Sequence, residues 1–141
     1  MRISAKGRYG LAVLTSMAKT EGTGKLVTIL SLSERLSISK IYLEQVFVLL
    51  KRSGLVAAFK GPQGGYSLTR SPKNISVFDI LSATETAVFE KTGTSTSDEA
   101  IEIALNEMVF DVLDNSVREA LSGISLESLA EKSDGDFMYY L

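Results

Sequence analysis

Ser39-Lys40-Ile41-Tyr42-Leu43-Glu44-Gln45-Val46-Phe47, then Leu55-Val56-Ala57-Ala58-Phe59, then the loop Gly61-Pro62-Gln63-Gly64-Gly65 before Tyr66, is the stretch that decides the fold. Leu43, Val46, Phe47 and Leu50 fall at i, i+3, i+4 and i+7, the stripe of an amphipathic helix with one face in a core. The other side presents Lys40, Ile41, Glu44, Gln45 and, a turn or two later, Lys51 and Arg52. Gln can pair with adenine N6/N7, Glu can accept from cytosine N4, and Lys or Arg can neutralise phosphate. Such residues also suit an ordinary solvated helix face, and the segment that follows decides between the two readings.

Gly54 stands where a helix C-cap belongs, and Leu55 to Phe59 reads as a strand bounded by turn signals. Its partner is Tyr66-Ser67-Leu68-Thr69-Arg70, and the loop between them is glycine-rich with Lys60 at its entrance. A flexible backbone beside a cation suits the approach of a hairpin wing to a narrow groove. The competing reading, a phosphate-cradling nucleotide loop, lacks G-x-G-x-x-G, lacks a terminal Gly-Lys-Ser/Thr and is followed by a strand rather than a helix.

Working outward towards the start, Leu30 to Leu36 gives one or two helical turns with Leu32 and Leu36 inward, and Ser37-Ile38-Ser39 turns into the main helix. This is helix-turn-helix spacing. Ser39 is the expected N-cap, with Ser37 the alternative two residues earlier. Val27-Thr28-Ile29 is expected to add a short strand, after a break at Glu21-Gly22-Thr23-Gly24. A first helix over about Ser4 to Lys19 buries Val13, Leu14, Met17 and Ala18. Arg2, Lys6 and Arg8 crowd its amino end, where the helix dipole disfavours cations, so a nearby anion such as a DNA phosphate is expected.

Charge is divided along the chain. Residues 1–75 carry 12 Lys/Arg and 3 Asp/Glu, a net +9, whereas residues 76–141 carry 3 and 14, a net −11, which together give the overall −2. Only the first half is suited to a polyanion. With no cysteine and no histidine among the 141 residues, disulfides, thiolate metal or cluster ligation, Cys nucleophiles and His acid/base chemistry are excluded. The carboxylates are spread at solvent-face spacing and form no catalytic constellation, so the expectation is no enzyme and no cofactor. The absence of an 18-residue apolar run and of a signal-peptide core points to a cytoplasmic protein with no membrane partner.

In the second half, Ser76-Val77-Phe78-Asp79 fits the S-x-x-[DE] signal for a helix carrying Ile80, Leu81 and Ala83. Residues 84–97, rich in Thr, Ser and Gly, read as a mobile loop. From Asp98, apolar positions including Ile101, Leu105, Met108, Val109, Val112, Leu113 and Val117 continue for some five to six turns until Gly123. That stripe is wider than one packing partner needs, and a symmetric dimer through this helix is expected over a fold-back onto its own domain. A last helix spans Ser125 to Lys132, before an aromatic tail that ends in Tyr139-Tyr140-Leu141. Packing against the dimer partner is the simplest role for that tail.

Arg2-Ile3-Ser4-Ala5-Lys6-Gly7-Arg8-Tyr9-Gly10, Tyr42-Leu43-Glu44-Gln45, Gly54-Leu55-Val56 and Gly61-Pro62-Gln63-Gly64-Gly65-Tyr66 resemble the signature of the Rrf-type (IscR/NsrR/CymR-like) family of bacterial winged-helix regulators, most strongly over residues 1–83. The resemblance implies a homodimeric transcription factor, usually a repressor, on a palindromic operator. By position it implies Ile41, Glu44 and Gln45 at bases, Tyr42 supporting the helix or reaching phosphate, and Lys60 and Gly61 at the wing, where many relatives carry arginine before the glycine. Cluster-binding relatives carry three cysteines in the segment corresponding to 87–97; this sequence has none, so the cysteine-free branch typified by the cysteine-metabolism repressor is the nearer comparison. That branch implies target genes of cysteine or sulfur metabolism and a cysteine-biosynthesis enzyme as a partner of Tyr139, Tyr140 and Leu141.

The expected architecture is mostly α with a small β wing: a winged helix-turn-helix over 1–83, the loop 84–97, and a dimerisation helix with its tail over 98–141. The expected DNA contacts are Arg2, Lys6, Arg8, Ser39, Lys40, Ile41, Tyr42, Glu44, Gln45, Lys51, Arg52, Lys60, Gly61 and Gln63. The class-level alternative is a protein-interaction module that holds a metabolic enzyme by its tail and has little DNA binding of its own.

Overall fold

The structure, a computed structural model, describes residues 2–20 and 25–139; the side chains of Thr20, Thr86, Val88 and residues 135–139 lie outside the description. Helix α1 (Ala5–Thr20) places Val13, Leu14 and Met17 in the core, and α2 (Ile29–Leu36) adds Leu32. Helix α3 (Lys40–Arg52) buries Leu43, Val46, Phe47 and Leu50 without residual exposure, the stripe that its spacing predicts. Strands β1 (Val56–Phe59) and β2 (Gly65–Leu68) form an antiparallel hairpin with Val56 opposite Leu68 and Phe59 opposite Gly65. The fold is therefore mostly helical with a two-stranded wing, as its sequence predicts.

Short-range chemistry explains the joints. Ser37 adopts the left-handed conformation (φ 56°) that ends α2, its N–H reaching Ser33 O, while the Ser33 hydroxyl donates to Ile38 O at 2.6 Å. Ser39 is the N-cap of α3, its hydroxyl accepting the Tyr42 N–H at 3.4 Å. At the far end, the Gly54 N–H bonds to Lys51 O and the Leu55 N–H to Leu50 O, both at 3.0 Å, with Gly54 at φ +81°. That pair of hydrogen bonds is a Schellman cap, and it turns the chain directly from α3 into the wing.

The expected strand Val27-Thr28-Ile29 is not formed. Val27 alone bridges to Tyr66, with N–H···O distances of 2.9 and 2.8 Å. Thr28 instead caps α2, accepting the Ser31 N–H at 3.1 Å, and Ile29 is already helical. The cap captures β-branched residues that would otherwise extend. A Cβ on Gly65 would meet Val27 O at 2.6 Å, so the close approach of this segment requires glycine there.

Helix α4 (Val77–Thr84) begins with both bonds of a capping box, Ser76 N–H to Asp79 Oδ2 at 2.9 Å and Asp79 N–H to Ser76 Oγ at 3.0 Å. A 3₁₀ turn (Thr86–Phe89) follows, so the segment read as loop is ordered at its start. The long helix is divided: α5 (Glu99–Leu105), a π-helical turn (Asn106–Phe110) and α6 (Asp111–Ser122). Each extra residue in a turn rotates the side chains beyond it by about 100°. The insertion explains why the apolar stripe looks wider than a 3.6-residue period allows. After Gly123, α7 (Leu126–Tyr139) returns against α1, pinned by Val77 N–H to Ile124 O and Leu126 N–H to Ile75 O, with Leu126 in the core.

Candidate nucleic-acid interface

With the core face of α3 fixed, its other side is determined. Lys40, Ile41, Glu44, Gln45, Lys51 and Arg52 are all exposed, as is Ser39 at the cap. Ile41, Glu44, Gln45 and Val48 make one outward stripe at i, i+3, i+4 and i+7, and Ile41 is 69% exposed. Tyr42 is half-buried, its ring edge-on to Tyr9 of α1 with centroids 5.0 Å apart. That contact braces the first turn of α3 against α1.

Lys60, Gly61 and Gln63 are exposed at the wing tip, where Gly61 takes φ +107° and the Gly64 N–H bonds to Gly61 O at 2.9 Å. Phe47 on the buried face of α3 packs on Tyr66 of the wing, ring centroids 4.5 Å apart, so helix and hairpin are held together. Phe59, one residue before Lys60, is half exposed. Its exposure is not legible in the sequence, because alternation in a short strand does not say which face has no cover.

Arg2, Lys6 and Arg8 are exposed at the amino end of α1. The anion expected there is supplied from within: Glu85, only 8% exposed, accepts the Ser4 N–H at 2.7 Å and also the Ser4 hydroxyl. A carboxylate at a helix amino end complements the dipole and the exposed N–H groups. Bound phosphate is therefore not needed to explain the three cations, which stay available on the surface. Gly7 and Gly10 let α1 approach this end of α4 closely. Nothing local in the sequence points to Glu85, because its partner lies 81 residues away.

Along α5, the π turn and α6, none of the expected dimer residues is buried in the single chain. Ile101, Met108, Val109, Val112 and Leu113 are exposed, Met108 to 77%, while Leu105 and Val117 are half-buried. Helix α6 does pack in part on α4 of its own chain, which covers Val117 but leaves the other face open. Beside this face lies an open cavity of about 620 Å³ between α4, the 3₁₀ turn and α6. Arg118 stands over the Phe78 ring at 4.9 Å, and Phe78 meets Phe89 edge-on at 5.0 Å. Its lining sets Lys91 and Arg118 against Glu90, Asp111 and Asp114, so the charge there is mixed. The Tyr139 side chain and residues Tyr140 and Leu141, the expected partner tail, lie outside the described residues.

A second buried carboxylate, also missed in the sequence, closes the loop before α5. Glu102 is 6% exposed, and its Oε1 accepts the Ser95 and Thr96 N–H groups at 2.7 and 2.5 Å. These two backbone bonds, Thr96 first, hold its carboxyl below the ordinary carboxylate range against an opposing effect of burial.

The profile of the Rrf2 family, described as an iron-dependent transcriptional regulator, matches residues 3–132. The chain is 35% identical over 147 residues to the HTH-type transcriptional regulator CymR of Bacillus subtilis, covering the full length of both. It is 45% identical over 89 residues to IscR of Cereibacter sphaeroides, 62% of this chain and 57% of that one. The solved structure of CymR, the global cysteine regulator of B. subtilis, superposes with a TM-score of 0.74 at 32% identity, over 94% of this chain and 98% of that one. These relatives regulate transcription and are not enzymes. The iron in the family description implies a metal centre, and the donor set here does not fit a thiolate-held one: residues 87–97 offer hydroxyls, one lysine and one carboxylate, and the chain contains no cysteine or histidine. Among the described residues no three Asp or Glu side chains converge as metal ligands. No helix among them is long and apolar enough to cross a membrane. On this combination of a winged helix, a basic exposed α3 face and full-length similarity, the chain belongs to the Rrf2 family of DNA-binding transcriptional regulators.

Proposed function

We propose that the protein is a cytoplasmic homodimeric repressor that reads a palindromic operator without an iron–sulfur cluster and controls genes of cysteine or sulfur metabolism. The observation that carries the reading is the outward stripe of α3: base-reading Glu44 and Gln45 flanked by Lys40, Lys51 and Arg52, all exposed on a helix whose other face is fully buried. Lys60, Gly61 and Gln63 serve at the wing, and Arg2, Lys6 and Arg8 with Ser39 hold the phosphate backbone. The dimer is supported by the uncovered apolar face that includes Met108, Val109, Val112 and Leu113. The cysteine assignment is supported by the full-length similarity to CymR and by the lack of cluster ligands. Association of the tail residues Tyr139, Tyr140 and Leu141 with a cysteine-biosynthesis enzyme belongs to the same proposal, and deletion of residues 138–141 should abolish it.

Run-off transcription from a promoter overlapping the bound site tests repression. Transcript should fall as the site fills, in parallel with occupancy measured by footprinting. A rise in transcript with occupancy would make the protein an activator, and full occupancy without effect would refute regulation at that site.

A further inference from the structure

We propose that Ile41 is a specificity-determining residue that recognises the C5-methyl group of a thymine in each operator half-site. The inference rests on the reading of α3 as the helix that enters the major groove, and it names what that helix reads at its amino end.

Ile41 is the second residue of α3, in the turn that begins at the Ser39 cap, and it is 69% exposed. Recognition helices of this class meet base edges with their amino-terminal residues. An isolated exposed isoleucine is ordinary on a protein surface. This one shares its stripe with Glu44 and Gln45, two side chains suited to base edges, and is bordered by Lys40. Polar and charged side chains read donors and acceptors. An isoleucine has neither, and the apolar feature of the major groove is the thymine methyl. A β-branched side chain in a helix is held in one strongly preferred rotamer, so its methyl groups are placed before binding rather than ordered by it. The surroundings exclude a packing role within the chain, because Leu43, Val46, Phe47 and Leu50 already complete the buried stripe.

Position follows from helix geometry. Ile41 precedes Gln45 by one turn, about 6 Å along the axis. Base pairs are spaced by about 3.4 Å along the duplex axis and by more along the groove that the helix follows, so the thymine lies about one to two base pairs from the one read by Gln45. Val48 extends the stripe but stands about 10 Å from Ile41 along the axis, beyond reach of the same pair.

The test uses the full chain and the operator obtained by selection from a random duplex library. Each thymine is replaced in turn by deoxyuridine, which removes the methyl and leaves every hydrogen-bonding group in place. At one position per half-site the replacement should weaken binding about fourfold, or about fifteenfold when both half-sites are changed, the worth of one buried methyl at each. Ile41→Ala should abolish that difference while still binding the duplex, and Ile41→Val should retain most of it. An operator whose thymines are all insensitive to the replacement, or a sensitivity that persists in Ile41→Ala, overturns the inference alone. Failure to select any preferred sequence overturns it together with the reading of α3 on which it rests.

Discussion

Gly7 offers a test in which two known effects compete and the structure fixes which wins. In a helix, Gly→Ala normally stabilises by about 0.5–1 kcal/mol. Here a Cβ on Gly7 would lie within contact distance of Glu85 Oε1 and at 2.7 Å from Ile3 Cγ2. Ile3 must also shift, but it forms no bond there that has to be broken, whereas Glu85 is buried and bonded to Ser4, so it yields only by giving up those bonds. Hydrogen bonds to a charged group contribute about 1.5–3 kcal/mol. Taking about 2 for the site, since Ser4 is exposed and can bond to water instead, Gly7→Ala should destabilise the protein by about 1 kcal/mol and Glu85→Ala by about 2. In the Glu85→Ala background the bonded obstacle is gone and only Ile3 Cγ2 still has to yield, so the penalty of Gly7→Ala should fall to about zero. Urea unfolding of the four proteins at one fixed protein concentration measures this, because dimerisation would otherwise mix into the result. The loss of the penalty when Glu85 is removed is the prediction. Gly7→Ala stabilising in both backgrounds, or effects that add within about 0.5 kcal/mol, would refute the view that Glu85 holds the amino end of α1.

Gln45→Ala or Glu44→Ala should cost about 1–3 kcal/mol on the selected operator and relax base preference at the matching position, whereas Lys60→Ala should weaken all sequences and lower the salt slope by about 1; a randomised operator library distinguishes these, and like behaviour of the substitutions would contradict the roles assigned. Replacing Met108 and Val112 by Asp should shift sedimentation from dimer to monomer and leave the far-ultraviolet spectrum unchanged, since neither side chain is covered in the single chain; an unchanged dimer would move the interface elsewhere. Because the folded-state carboxyl of Glu102 titrates below its ordinary value of 4.5, its stabilising contribution is complete above that value and is lost as pH falls through the lower folded one. Glu102→Gln should therefore be less stable than the parent at pH 7, with the gap closing as the pH is lowered through the acid range; a gap that widens towards low pH would contradict the hydrogen bonds to Ser95 and Thr96.

What the sequence discloses follows the range over which each interaction acts. The α3 stripe, the Ser39 cap, the glycine after α3 and the Ser76–Asp79 box are local patterns, and each appears where its spacing places it. Thr28 shows where local reading fails: Val27-Thr28-Ile29 has strand composition, but capping α2 and pairing one residue with Tyr66 satisfy its backbone better. The π turn at 106–110 was hidden because inserting a residue into an apolar helix broadens its stripe without breaking it. Glu85 and Glu102 read as solvent-face carboxylates. Their partners are backbone and hydroxyl groups, which carry no residue-type signal, and those of Glu85 lie 81 residues away. In the site, the exposure of Lys40, Ile41, Glu44 and Gln45 could be inferred by subtraction once the buried stripe was known. The buttress of Tyr9 on Tyr42 required the tertiary packing of α1 on α3.

The most direct test of the central claim, that paired copies of α3 read a specific duplex sequence, is selection of bound molecules from a random duplex library, followed by a salt titration on the enriched sequence and on a scrambled one. The account predicts an enriched palindrome whose half-sites are centred one helical turn or a multiple apart, with the preference over the scrambled duplex retained at salt concentrations that remove non-specific binding. Weak binding without an enriched sequence, abolished by salt for both duplexes alike, would contradict it.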